Sequence, residues 1–141
     1  MRRTELTDVK ISVRLKLASL WTSVLFCYVY GDYFELYVPG KLQEMLRGNM
    51  ALGAVTQERL VGTALLMVVP SLMIFLSISL PPAVNRWLNI GIGLFYTVVM
   101  LLILVNSVWA FYALFASVEV MLTLLVVSYA WRWPRQPTIM S

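Results

Sequence analysis

Hydrophobic positions along this chain gather into four long runs separated by short polar stretches, and three of the runs carry almost no charge. Leu60 to Leu80 and Trp87 to Asn106 hold no charged residue, and Val108 to Trp131 holds one, Glu119. At ~1.5 Å per helical residue each run covers a hydrocarbon layer of about 30 Å, so each predicts a transmembrane helix. The first run, from about Leu17 to Val38, predicts a fourth, although Asp32 and Glu35 near its far end require an interior cavity or the headgroup region to accept them.

The breaks between runs set the connections. Pro81 and Pro82 close the second helix, and Asn106 with Ser107 makes an equally tight turn, so helices two, three and four are predicted as sequential antiparallel neighbours. The one sizeable loop joins helices one and two. Beyond Pro39 and Gly40, the apolar Leu42, Met45 and Leu46 separate from Lys41, Glu44 and Arg47, which predicts a short amphipathic helix on the outer surface. Thr56 is placed to cap the next helix. The expected fold is therefore all-α: a polytopic four-transmembrane-helix antiparallel bundle in a single domain, 1–141, with helices at about 15–38, 58–80, 84–106 and 108–132. The pattern contains no internal repeat.

Composition agrees with a chain that lives in lipid. Of its 141 residues, 60% are hydrophobic and 13% charged, well beyond the roughly 45–50% apolar usage of soluble domains. The net charge of +4 has no basic stripe on a folded surface behind it, which argues against nucleic acid. It reads instead as membrane orientation. Arg2, Arg3, Lys10, Arg14, Lys16, Arg86, Arg132 and Arg135 fall on one predicted side and only Lys41, Arg47 and Arg59 on the other, so the N- and C-termini are expected in the cytoplasm. Trp87, Trp131 and Trp133 at the inner boundary and Trp109 at the outer one fit an aromatic belt. The basic start followed by Leu17 to Gly31 has the dimensions of a signal peptide, but Asp32, Tyr33, Phe34 and Glu35 follow where a small-residue cleavage site would stand. The segment is expected to be retained.

The absence of histidine and the single Cys27 exclude an intramolecular disulfide, a Cys/His metal centre and a Cys–His nucleophilic pair. No metal or cofactor is expected. The candidate chemistry lies in polar residues at membrane depth. Glu119 stands midway along the last helix, ~18 Å from either end. A carboxyl there costs a few kcal/mol, roughly, unless it is protonated, hydrogen-bonded or paired. Helical spacing aligns it with Tyr112, Ala116 and Thr123. On the first helix Trp21, Leu25, Tyr28, Asp32 and Glu35 share a face, with Tyr28 near the depth of Glu119. On the third, Arg86, Asn89, Gly93 and Tyr96 do so, Gly93 permitting close backbone approach and Asn89 able to bridge helices. Arg86 either snorkels to phosphates or caps a cavity and balances an acid. Pro70 removes one helical hydrogen bond and leaves a carbonyl free for a neighbour or ligand.

The strings Ala83-Val-Asn-Arg-Trp87, Phe115-Ala-Ser-Val-Glu119 and Tyr129-Ala-Trp-Arg-Trp-Pro134, with Tyr30-Gly-Asp32 ahead of Val38-Pro-Gly40, resemble a bacterial family of small four-helix inner-membrane proteins known only as a domain of unknown function. The layout is also similar to DoxX-type membrane proteins. The resemblance covers about Leu17 to Pro134 and implies a bacterial inner-membrane location, with Asp32, Asn85, Arg86 and Glu119 matching the family's polar positions. It implies no activity.

Two functions compete. One is a bundle that binds a small ligand or carries a proton-linked solute, its acidic and tyrosine-lined site drawn from Glu119, Asp32, Tyr28, Tyr96, Asn89 and Arg86, in a homo-oligomer or alone. The other is a non-catalytic accessory subunit packed against a larger membrane protein. An enzyme is disfavoured, because the chain has no metal-ligand spacing, phosphate loop or nucleophile–base pair.

Overall fold

The computed structural model describes residues 9–50, 53–106 and 109–134. Arg2, Arg3, Ser107, Val108 and Arg135, which entered the predictions above, lie outside the described residues. The first helix, α1, runs Val13–Glu35 and starts at Ser12, whose hydroxyl accepts the Leu15 N–H at 3.3 Å. It stops before Gly40, which takes a left-handed φ of 85° and opens α2, Lys41–Leu46. This six-residue helix keeps Leu42, Met45 and Leu46 exposed. An unexpected hairpin follows, β1 (Asn49–Met50) against β2 (Gly53–Ala54), antiparallel. Arg59 ties it down, donating from Nη1 to the Ala54 carbonyl at 2.8 Å.

The remaining helices are α3 (Gln57–Ser79), α4 (Pro82–Asn106) and α5 (Ala110–Trp131). Thr56 caps α3 by accepting the Arg59 N–H at 3.3 Å. Pro82 begins α4, where its missing N–H costs no helical hydrogen bond. These three helices are long and apolar enough to cross a membrane. Of the four expected spans these three meet that measure, while in α1 Ser19, Thr22, Ser23, Tyr28, Tyr30 and Asp32 dilute the apolar residues. Its Ser19, Thr22 and Ser23 hydroxyls nevertheless donate to carbonyls one turn back, at 2.9, 2.9 and 3.1 Å, so none is left unsatisfied.

Packing departs from sequence order. α1 lies between α3 and α5, and α5 between α1 and α4, while α3 and α4 meet only thinly. A Cβ on Gly93 would sit 2.9 Å from Val127 Cγ2, so α4 gives its closest backbone approach to α5. α3 and α4, expected as sequential antiparallel neighbours, meet over a much smaller seam than α4 and α5. The core between the helices holds Leu17, Trp21, Val24, Met73, Tyr96 and Val126, all essentially inaccessible. Outward, large apolar side chains such as Phe26, Leu65, Phe75, Leu102 and Val105 are exposed, a pattern consistent with a membrane protein.

Contacts between chain ends define two poles. Arg14 Nη1 donates to the Ile78 carbonyl at 2.9 Å, Lys16 stands 5.1 Å from the centre of the Tyr129 ring, and Arg86 lies 5.6 Å from the Trp131 ring. The start of α1, the α3–α4 turn and the end of α5 thus share one pole. The other holds α2 and the hairpin with Lys41, Arg47 and Arg59.

Candidate functional site

All four long helices contribute to a cavity of about 140 Å³ in the half of the molecule nearer the hairpin. α1 supplies Cys27, Tyr28, Gly31 and Asp32; α3 supplies Leu66 and Met67; α4 supplies Tyr96, Val99, Met100 and Ile103; α5 supplies Tyr112, Phe115, Ala116 and Glu119. Helical register explains which side chains arrive. On α5, Ala116, Glu119 and Thr123 recur at three- and four-residue spacing and are all buried, so the stripe that carries the acid is the stripe turned inward. On α1 the same spacing carries Trp21, Val24, Tyr28 and Gly31 inward, leaving Asp32 exposed at the rim.

Two buried polar groups in this cavity lack hydrogen-bond and ion-pair partners among the described residues. The Tyr28 hydroxyl is buried and makes no hydrogen bond, in a residue only 6% exposed. Glu119, 4% exposed, has a carboxyl that makes neither a hydrogen bond nor an ion pair. Burying such groups unpaired costs about 1–3 kcal/mol each, and more for a charge. Around them the aromatic rings interlock: Tyr96 lies 6.3 Å from Tyr28 and meets Trp21 edge-on at 6.0 Å.

Tyr96 is held by the proline in α3. Pro70 has no N–H to give to the carbonyl four residues back, which is that of Leu66. The Tyr96 hydroxyl donates to that same carbonyl at 2.8 Å. The carbonyl freed by Pro70 is therefore taken by a neighbouring helix, and the bond bridges the thin α3–α4 seam beside the cavity.

Asn89 and Arg86, expected with these residues, lie elsewhere. Asn89 is fully buried at a separate cluster toward the basic pole. Its Oδ1 accepts from Trp21 Nε1 at 2.8 Å and from the Ser77 hydroxyl at 3.3 Å, and its Nδ2 donates to the Asn85 carbonyl and Oδ1 at 2.9 and 2.6 Å. Asn85 Nδ2 in turn donates to the Ser77 carbonyl at 2.5 Å. This cluster joins α1, α3 and α4 with its capacity filled. Arg86 donates to the Trp131 carbonyl at 3.4 Å and sits between the rings of Trp87 and Trp131, with no acid paired to it. Glu35 belongs to the hairpin pole, where it pairs with Lys41.

Tyr112 also lines the cavity, and it was legible as a member of the Glu119 stripe without being singled out. The Leu66 and Met67 wall had no such signal, since apolar residues on an apolar helix carry no phase. Among the described residues no group of three or more acids, cysteines or histidines could hold a metal ion. Chemically, the cavity offers acids and phenols against hydrocarbon walls.

A model for a family of unknown function, DUF6326, matches residues 7–140. No curated protein and no solved structure matches the chain.

Proposed function

Since the chain belongs to this family of unknown function, we propose from its own geometry that it is a four-span inner-membrane protein whose interhelical cavity binds a small ligand or passes protons through Glu119. The unpartnered Glu119 carboxyl and Tyr28 hydroxyl facing one cavity are the observation that carries this reading, because a purely structural acid would be expected to end in a hydrogen bond, as Asn89 does.

In this reading α1 is the fourth span. Its hydroxyls are satisfied internally, it packs along two apolar helices, and its charged residues fall at its ends, with Arg14 and Lys16 at one and Asp32 and Glu35 at the other. The basic pole is cytoplasmic, because Lys10, Arg14, Lys16, Arg86 and Arg132 outnumber Lys41, Arg47 and Arg59. α2 then lies on the outer surface with Leu42, Met45 and Leu46 in the interface.

Labelling in native membranes with a hydrophobic carbodiimide, which attacks protonated carboxyls within the bilayer, tests the site. Mass spectrometry is expected to find a pH-dependent adduct on Glu119 that is absent from Glu119→Gln. Folded protein without an adduct at any pH would mean a sealed acid and would overturn the proposal.

A further inference from the structure

The lining of the cavity also speaks to what it accepts. At about 140 Å³ it is close to an engineered cavity of roughly 150 Å³ that holds benzene. Its occupant therefore has a body of about benzene size. The polar side chains that line this space are Glu119, Asp32, the Cys27 thiol and the phenols of Tyr28, Tyr96 and Tyr112, and among the described residues no lysine or arginine lines it. Lys41, at the same pole as the cavity, pairs with Glu35, and Arg59 donates to the Ala54 carbonyl.

An anion would meet two acids and no cation there, with nothing to repay its desolvation. A hydrocarbon would fill the space but leave the Glu119 carboxyl unpaired. A compact ammonium ion satisfies both parts of the lining. Its N–H groups can pair with the carboxyl and the unpartnered Tyr28 hydroxyl, its charge is attracted to the faces of the tyrosine rings, and its apolar body meets the hydrocarbon walls.

Resting on the ligand-binding reading above, we propose that the cavity takes a small primary amine as its ammonium ion, paired with Glu119, with Asp32 at the rim as the first acid it meets. The full chain in lipid nanodiscs, dialysed against tritiated benzylamine, benzyl alcohol or benzoate with empty nanodiscs as baseline, tests it. Saturable benzylamine binding is expected, about tenfold or more tighter than benzyl alcohol, a ratio equal to ~1.4 kcal/mol. Glu119→Gln should abolish that preference while leaving the alcohol unaffected. Asp32→Asn, at an exposed position, should weaken benzylamine binding several-fold and serves as the second variant should Glu119→Gln fail to fold. Equal binding of amine and alcohol, unchanged in both variants, would overturn the amine assignment and leave the ligand reading standing. Tighter benzoate than benzylamine, or no saturable amine binding at all, would also overturn it; the carbodiimide result on Glu119 then decides the underlying reading separately.

Discussion

The Asn89 side chain fills its hydrogen-bonding capacity with four bonds to three residues, Trp21, Ser77 and Asn85, whereas the buried Glu119 carboxyl has none among the described residues. The two residues should respond oppositely to replacement. Asn89→Leu strands Trp21 Nε1, Ser77 and Asn85, and is expected to lower stability by about 1–2 kcal/mol in a detergent unfolding titration. Glu119→Leu removes an unpaired group, so stability should hold or rise by up to about 1 kcal/mol while ligand or proton function is lost. Loss of stability in Glu119→Leu as large as that in Asn89→Leu would point to a structural acid. Depth and helical face were enough to single out Glu119, Tyr28, Asp32 and Tyr96, which meet at one cavity. They were not enough for Asn89 and Arg86, which share a face of α4 with Tyr96 but lie about two and three turns nearer the basic pole. Residues on one stripe can serve different neighbours, because the stripe is longer than any single contact.

Within the helices, two local features can be tested by pairs of substitutions. Pro70→Ala restores an N–H that reclaims the Leu66 carbonyl, so the Tyr96 hydroxyl loses its sole claim on it. Tyr96→Phe should cost about 0.5–1 kcal/mol in the native background and measurably less beside Pro70→Ala. Additive losses in that double-mutant cycle would show that the two residues are not coupled through the carbonyl. At the α4–α5 seam, Gly93→Ala brings a Cβ to 2.9 Å from Val127. It is expected to destabilise by about 1–2 kcal/mol, with Val127→Ala in the same chain recovering part of the loss. The carbonyl freed by Pro70 and the close approach at Gly93 could be read from residue type alone, since each follows from one side chain's covalent structure. The hairpin at Asn49–Met50 and Gly53–Ala54 could not, as two-residue strands are too short to impose a period.

For the whole molecule, the partnering of helices was the part least visible in sequence. Periodicity states which face of a helix turns inward, but not which neighbour it finds. Here α4 packs on α5, closely at Gly93 against Val127, and α3 packs on α1. Hydropathy alone also undervalues α1, whose polar side chains are spent on internal hydrogen bonds and on the cavity. The proposed topology makes a direct prediction. With Cys27→Ala as background, Lys41→Cys should react with a membrane-impermeant maleimide on intact spheroplasts, and Lys10→Cys only after permeabilisation. Labelling of both from one side would show that α1 does not cross.

The thin contact between α3 and α4 has one more consequence. A groove on that edge, formed by Leu65, Val69, Gly91, Ile92 and Phe95, ends on Leu66 and Tyr96, the same two residues that wall the cavity from within. In the proposed arrangement a single hydrogen-bonded pair separates the cavity from the acyl chains. A neutral amine entering sideways there has already dissolved in the bilayer, so the rate of entry by that route would follow its oil–water partition coefficient and vary with lipid composition, while entry past Asp32 would follow the aqueous concentration of the ammonium ion.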